Sequence, residues 1–251
     1  MEKQLLIYGD VKPVTLSEHG EFSLKGTGSL DFAAKVNSVP LTLPEIPMIA
    51  HELPVVFTGG DAMVPAVIMG MRDGENLVIN AEGKWQGRYV PAFLRRYPFV
   101  FSKAPESDRF TLCVDEGYAG WNKDNKGERL SHGEGEQTQY LQGVLNFLQE
   151  YQAHFAQTQT FCDRLKELDL LEPVTANFQF KGGERQTLSG FFAVNRAKLK
   201  ALPQEQLMAM MSRDELELIY MHLFSMNRFN HLIELMGAES FEEDKPKEEV
   251  H

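Results

Sequence analysis

Between residues 141 and 168 the side chains Leu141, Val144, Leu145, Leu148, Tyr151, Phe155, Cys162, Leu165 and Leu168 recur mostly every three or four positions. That spacing lays one apolar stripe along one face of a long helix. Such a stripe has to be covered by a sheet or by other helices, and the rest of the chain must supply the cover. From about Gln4 to Val114, short β-prone runs (Val55–Phe57, Ala66–Met69, Leu77–Ile79, Phe99–Phe101) alternate with the turn pairs Gly59-Gly60, Asp73-Gly74 and Glu82-Gly83. An Asp-Gly pair between two such runs tolerates the positive φ of a hairpin turn, which predicts a β-meander over about 55–86. Helical pieces are expected near Leu43–Leu53 and Tyr89–Arg96, ended by Pro54 and Pro98 because proline cannot continue a helix.

Pro173 is expected to stop the long helix, after which Val174–Phe180 and Leu188–Val194 read as a second hairpin across Gly182-Gly183. A short helix follows, opened by Pro203. Ser212-Arg213-Asp214-Glu215 then has the form of a capping box. It opens a helix through Leu216, Ile219, Tyr220, Leu223, Asn227, Ile233 and Met236, with Gly237 as its cap. These patterns predict an α+β fold: a mostly antiparallel sheet, the β-meander, in the first half with short helices, packed against longer helices of the second half. One domain is expected over 1–237, with a β-rich subregion at 1–116 and a helix-rich subregion at 138–237. The polar loop Gly117–Gln137 separates them, and an acidic disordered tail follows over 238–251.

Charge narrows the function. The chain has 25 Lys and Arg against 36 Asp and Glu, a net charge of −11. A field of that sign repels phosphate backbones and anionic lipid, so no nucleic-acid partner is expected. The tail, with six acids and two lysines, carries −4 of the total, and the body carries −7. No apolar run reaches the ~20 residues of a membrane span, so no membrane insertion is expected. The amino-terminal apolar run Leu5–Tyr8 is too short for a secretory segment, and the chain reads as cytoplasmic. Cys113 and Cys162 each sit in an apolar setting with no second Cys or His at ligand spacing, which reads as two buried thiols.

No metal or cofactor site is expected. His222 and His231 share a helix nine residues apart, on opposite faces. His51-Glu52 begins like a zinc-protease motif, but Val55 stands where the second His is needed. The run Asn122–Gly127 imitates the start of a calcium loop, yet Lys126 takes a ligand position and Gly133 that of the bidentate Glu. No phosphate-cradling loop and no nucleophile elbow is present.

Two clusters remain. Trp85–Tyr97 gathers Arg88, Arg95 and Arg96 with Trp85, Tyr89, Phe93 and Tyr97 in an otherwise acidic chain. Arginine among aromatic rings suits carboxylate recognition through its planar fork. The competing reading is structural: Tyr89, Phe93 and Tyr97 form one helical face on the sheet, with the arginines at its rim. The second cluster, Asp115-Glu116 after the Phe110–Val114 run, could act as acid and base or pair with Arg95 or Arg96. The competing and simpler reading is a solvated strand end.

The segments NSVPLTLPEIPMIAHELPVVFT (37–58), LCVDEG (112–117) and ELIYMHLFSMNRFNHLI (217–233) resemble the SapC family of bacterial proteins. So does the central run, in which Asp73-Gly-Glu-Asn-Leu77 is followed by Tyr89-Val-Pro-Ala-Phe93 and Arg95-Arg-Tyr-Pro-Phe99. The likeness extends from about residue 20 to 236. It implies an accessory or ligand-binding role and carries no set of catalytic residues. By its name the family also implies association with a bacterial surface layer, which makes the cell surface the alternative location. The leading expectation is therefore a non-catalytic module that binds a carboxylate-bearing small molecule or peptide through Arg88, Tyr89, Arg95, Arg96, Tyr97, Asp115 and Glu116. The alternatives are a surface-layer structural protein that assembles with itself or a partner protein, and an enzyme using Asp115 and Glu116.

Overall fold

The computed structural model describes residues 6–60, 63–103, 109–132, 136–180 and 182–240. In chain order it contains β1 (Val11–Pro13), α1 (Leu16–His19), β2 (Ser23–Leu24), β3 (Ser38–Pro40), α2 (Ile46–Ile49), β4 (Val55–Thr58) and β5 (Pro65–Ile68). Then come α3 (Ala92–Arg95), β6 (Phe99–Lys103), β7 (Phe110–Asp115), β8 (Trp121–Asn122), β9 (Glu128–Arg129) and α4 (Gln139–Glu167). The chain closes with β10 (Leu171–Phe180), β11 (Arg185–Val194), α5 (Arg196–Lys200), α6 (Gln204–Met211), α7 (Glu215–Ser225), α8 (Arg228–Leu235) and β12 (Ala238–Ser240). The fold is α+β, with antiparallel sheets in the first half and the longer helices in the second.

Two compact units share these elements, one built from 1–35 and 79–157, the other from 36–78 and 158–251. The boundary therefore runs through α4 and does not follow the division at the 117–137 loop. In the first unit, β1-β7-β6 form one antiparallel sheet and β8-β2-β9 a second. Its core joins Phe99, Phe101 and Val114 to Leu141 and Leu148 of α4. Thr138 caps that helix, its Oγ accepting from the Leu141 amide at 3.1 Å. In the second unit the sheet order is β12-β10-β11-β4-β5-β3. Phe57 and Val194 meet Phe161, Cys162 and Leu165 from the end of α4, and Ile219 from α7.

Several local expectations are corrected. The third strand of the meander is not Leu77–Ile79. β3 pairs with β5 in that place, Val39 opposite Val67, while Gly74 turns at φ +74° and the Leu77 amide donates to the Met69 carbonyl. The long helix stops before Pro173, because Asp169 adopts φ +50° and the Leu170 amide returns to the Leu165 carbonyl. Pro173 then lies within β10. The Ser212 box does not form: the Ser212 hydroxyl donates to the Met208 carbonyl at 2.6 Å and so closes α6. Glu215 instead points inward to Arg164 and Arg213, and the expected continuous helix breaks between α7 and α8. The 117–137 loop contains two short strands, β8 and β9, that flank β2. Ala238–Ser240, expected as part of a disordered tail, pairs with Phe178–Phe180 of β10; the remainder of that expectation, 241–251, lies outside the described residues.

Candidate functional site

All seven candidate site residues fall in the first unit, and the structure gives them different tasks. Asp115 ends β7 and is 2% exposed. Its Oδ2 accepts from the Gly9 amide at 2.7 Å and the Tyr97 hydroxyl at 3.3 Å, and its Oδ1 from the amides of Asp10 at 3.1 Å and Gly117 at 2.9 Å. Three backbone donors and a phenol occupy the acceptor sites of this carboxylate. Burial chiefly, with the Asp115 charge adding, pushes the Tyr97 hydroxyl up to about 12, so it remains a donor. Asp115 thus clasps the segment entering β1 to the turn after β7.

Glu116 extends the clasp. It pairs with Lys12 of β1, and its Oε1 lies 3.2 Å from Nε2 of His19, which is almost fully buried. The hydrogen bond from Lys12 is the main reason the Glu116 carboxyl sits below its ordinary value. His19 Nδ1 accepts from the Thr15 amide at 3.2 Å, which leaves Nε2 on the Glu116 side of the ring. Neither Arg95 nor Arg96 is among the partners of Asp115 or Glu116.

The two adjacent arginines at the end of α3 diverge, one buried and one exposed. Arg96 is 2% exposed, its guanidinium carbon 4.2 Å from the ring centre of Phe93, 5.1 Å from Tyr151 and 5.6 Å from Tyr8. Tyr8 donates to the Phe99 carbonyl at 2.7 Å, and burial holds its hydroxyl well above the usual range against the opposing pull of Arg96. Arg95 is exposed. Its Nε donates to the Val90 carbonyl and its Nη2 to the Tyr89 hydroxyl, both at 3.0 Å, and the guanidinium lies 5.4 Å from the Tyr89 ring and 5.1 Å from that of Phe147. Arg88 is exposed and Tyr89 half-buried.

Tyr97 joins Asp115 to an aromatic cluster. Its ring stacks on Phe32 at 4.1 Å and lies 5.3 Å from Tyr8 and 5.5 Å from Tyr118. Trp121 donates from Nε1 to the Asp115 carbonyl at 2.8 Å. The sequence reading missed Tyr8, Lys12, His19, Phe32, Phe147 and Tyr151; each lies far from the cluster in sequence, and no short motif marks it. Among the described residues no group of three or more His, Cys, Asp or Glu side chains is placed to hold a metal ion. Both cysteines are free and buried, and burial raises the Cys162 thiol to about 12. Among the described residues no helix is long and apolar enough to cross a membrane.

The site therefore defines an α+β protein whose paired carboxylates fasten its own amino-terminal segment and whose exposed arginine lies beside aromatic rings. The sequence profile of the SapC family matches residues 15–232, and the chain belongs to that family. No curated protein and no solved structure matches it.

Proposed function

We propose that this SapC-family chain is a non-catalytic binding module, an accessory protein that takes a carboxylate-bearing small molecule or peptide at Arg95. The observation that supports it is the state of that side chain. Two hydrogen bonds and two rings hold the guanidinium in one orientation, while the residue remains exposed and its Nη1 has no partner among the described residues. A fork ordered before binding loses less entropy when a carboxylate arrives. The enzyme alternative has less support, because Asp115 and Glu116 are both engaged in holding β1 and α1.

A thermal-shift screen against amino acids, short peptides and dicarboxylates tests the proposal. A ligand at 100 times its Kd stabilises the native state by about 2.7 kcal/mol, enough for a clear rise in melting temperature. The rise should vanish in Arg95→Ala and return only in part in Arg95→Lys, which restores charge without the fork. Silence across the panel, or an undiminished shift in Arg95→Ala, refutes it. Light scattering that grows with protein concentration would favour the assembly alternative.

A further inference from the structure

We propose that the groove between α2 and α7, in the second unit, docks an amphipathic segment of a partner protein, with the partner's apolar side chains in the groove and a lysine or arginine against Glu217. Glu217, Tyr220, Met221 and Phe224 follow one another at i, i+3, i+4 and i+7 along α7 and form one stripe. Pro47, Ala50 and His51 face them from α2 and the turn after it, around a space of about 410 Å³ with an almost wholly apolar lining. The apolar surface continues outside the groove: Tyr220 is 47% exposed, Phe224 55%, and Met48, next to Pro47, 50%. Large apolar side chains half open to water around one concave strip mark a surface for another protein.

Charge selects the partner. No lysine or arginine occurs in residues 46–53 or 215–225. Glu52 is met by His51 at 3.1 Å, whereas Glu217 has no hydrogen bond or ion pair among the described residues and is exposed. At the other end of the stripe, Arg228 of α8 lies 5.6 Å from the Phe224 ring centre. The groove is thus acidic at the Glu217 end and already supplied with a cation roughly 10 Å further along, at 1.5 Å per residue. A two-turn amphipathic helix with a basic residue at one end matches that order. An anionic lipid surface meets the wrong sign. The groove uses none of the residues assigned to carboxylate recognition, so the two proposals stand or fall separately.

The test uses two fluorescein-labelled model helices with the same leucine stripe, one flanked by lysine and the other by glutamate, titrated with the full chain and followed by anisotropy. The lysine peptide should bind about five- to ten-fold more tightly, the contrast expected of one exposed ion pair gained against one repulsion. Glu217→Lys should reverse the order. Phe224→Ser should weaken the lysine peptide, with circular dichroism and melting temperature unchanged. Equal affinity for the two peptides, binding of neither, an order unchanged in Glu217→Lys, or a peptide footprint by amide exchange away from α7 each overturns the proposal. So does self-association that occupies α7.

Discussion

His222 makes the second unit sensitive to acid over a defined range. It is 0% exposed and stands edge-on to Phe57, with ring centres 4.9 Å apart. Its Nε2 accepts from the Val194 amide at 3.0 Å, which requires that nitrogen to be unprotonated, so Nδ1 carries the proton and donates to the Val55 carbonyl at 2.7 Å. The ring thus bridges β4 and β11 beyond the pairing of Phe191 and Phe192 with Thr58 and Phe57. A second proton would place an Nε2–H donor against the Val194 donor in a dry site, and burial accordingly lowers the pKa from 6.5 to about 4. Because the folded value lies below the unfolded one, the stabilisation is complete above about pH 6.5 and is lost as pH falls toward 4. At 1.36 kcal/mol per unit the full loss is roughly 3 kcal/mol, of which about 2 kcal/mol is gone by pH 5. His222→Gln keeps an acceptor and a donor but cannot titrate. Urea unfolding of both proteins at pH 7.5 and pH 5, followed by far-ultraviolet circular dichroism, should therefore show the stability gap between them changing by about 2 kcal/mol in favour of the variant at pH 5. Tryptophan emission is the wrong reporter, because Trp85 and Trp121 both belong to the first unit. Titrations shared by the two proteins cancel in the difference. Parallel loss of stability in both proteins refutes the argument, as does an imidazole resonance of folded protein, assigned to His222, that titrates near 6.5.

Two further outcomes concern the first unit. Asp115→Asn replaces an acceptor oxygen with a donor that faces backbone amides, and should cost roughly 2–4 kcal/mol in urea unfolding read from tryptophan emission, against a negligible change if Asp115 were a solvated strand end. Gly127 sits at φ +90°, and a Cβ there would stand 2.2 Å from the Leu24 carbonyl oxygen; Gly127→Ala should therefore lower the melting temperature by more than the usual cost of about 1–2 kcal/mol for a left-handed residue, since the β2 backbone has to move as well.

What the sequence discloses here is periodicity, and what it conceals is pairing over distance. α4 and the β10–β11 hairpin are long enough for their 3.6 and 2.0 periods to stand out. β2, β8 and β9 are two residues each and exist because Ser23 and Leu24 find Asn122, Trp121, Arg129 and Glu128 about a hundred positions later. Motifs fare no better without their surroundings. Thr42-Leu-Pro-Glu45 and Ser212-Arg-Asp-Glu215 share one capping pattern, yet only the first closes, the Glu45 carboxylate accepting from the Thr42 amide at 2.8 Å. At the second, Arg164 of α4 draws the glutamate inward, and that competitor lies outside any local window.

The candidate site shows the same limit more sharply. Asp115 is legible as a carboxylate at a strand end, but its role is decided by the amides of Gly9 and Asp10, and a backbone amide leaves no trace in residue identity. Arg95 and Arg96 are the same residue type in adjacent positions, and on a helix adjacent positions point about 100° apart. That rotation turns Arg96 toward Tyr8, Phe93 and Tyr151 and leaves Arg95 outside, where Tyr89 and Phe147 flank it. A dense arginine–aromatic segment therefore divides into one guanidinium spent on the interior and one held at the surface. Only the second can meet a ligand without unpacking the core, so replacing Arg96 should be read out as lost stability and replacing Arg95 as lost binding.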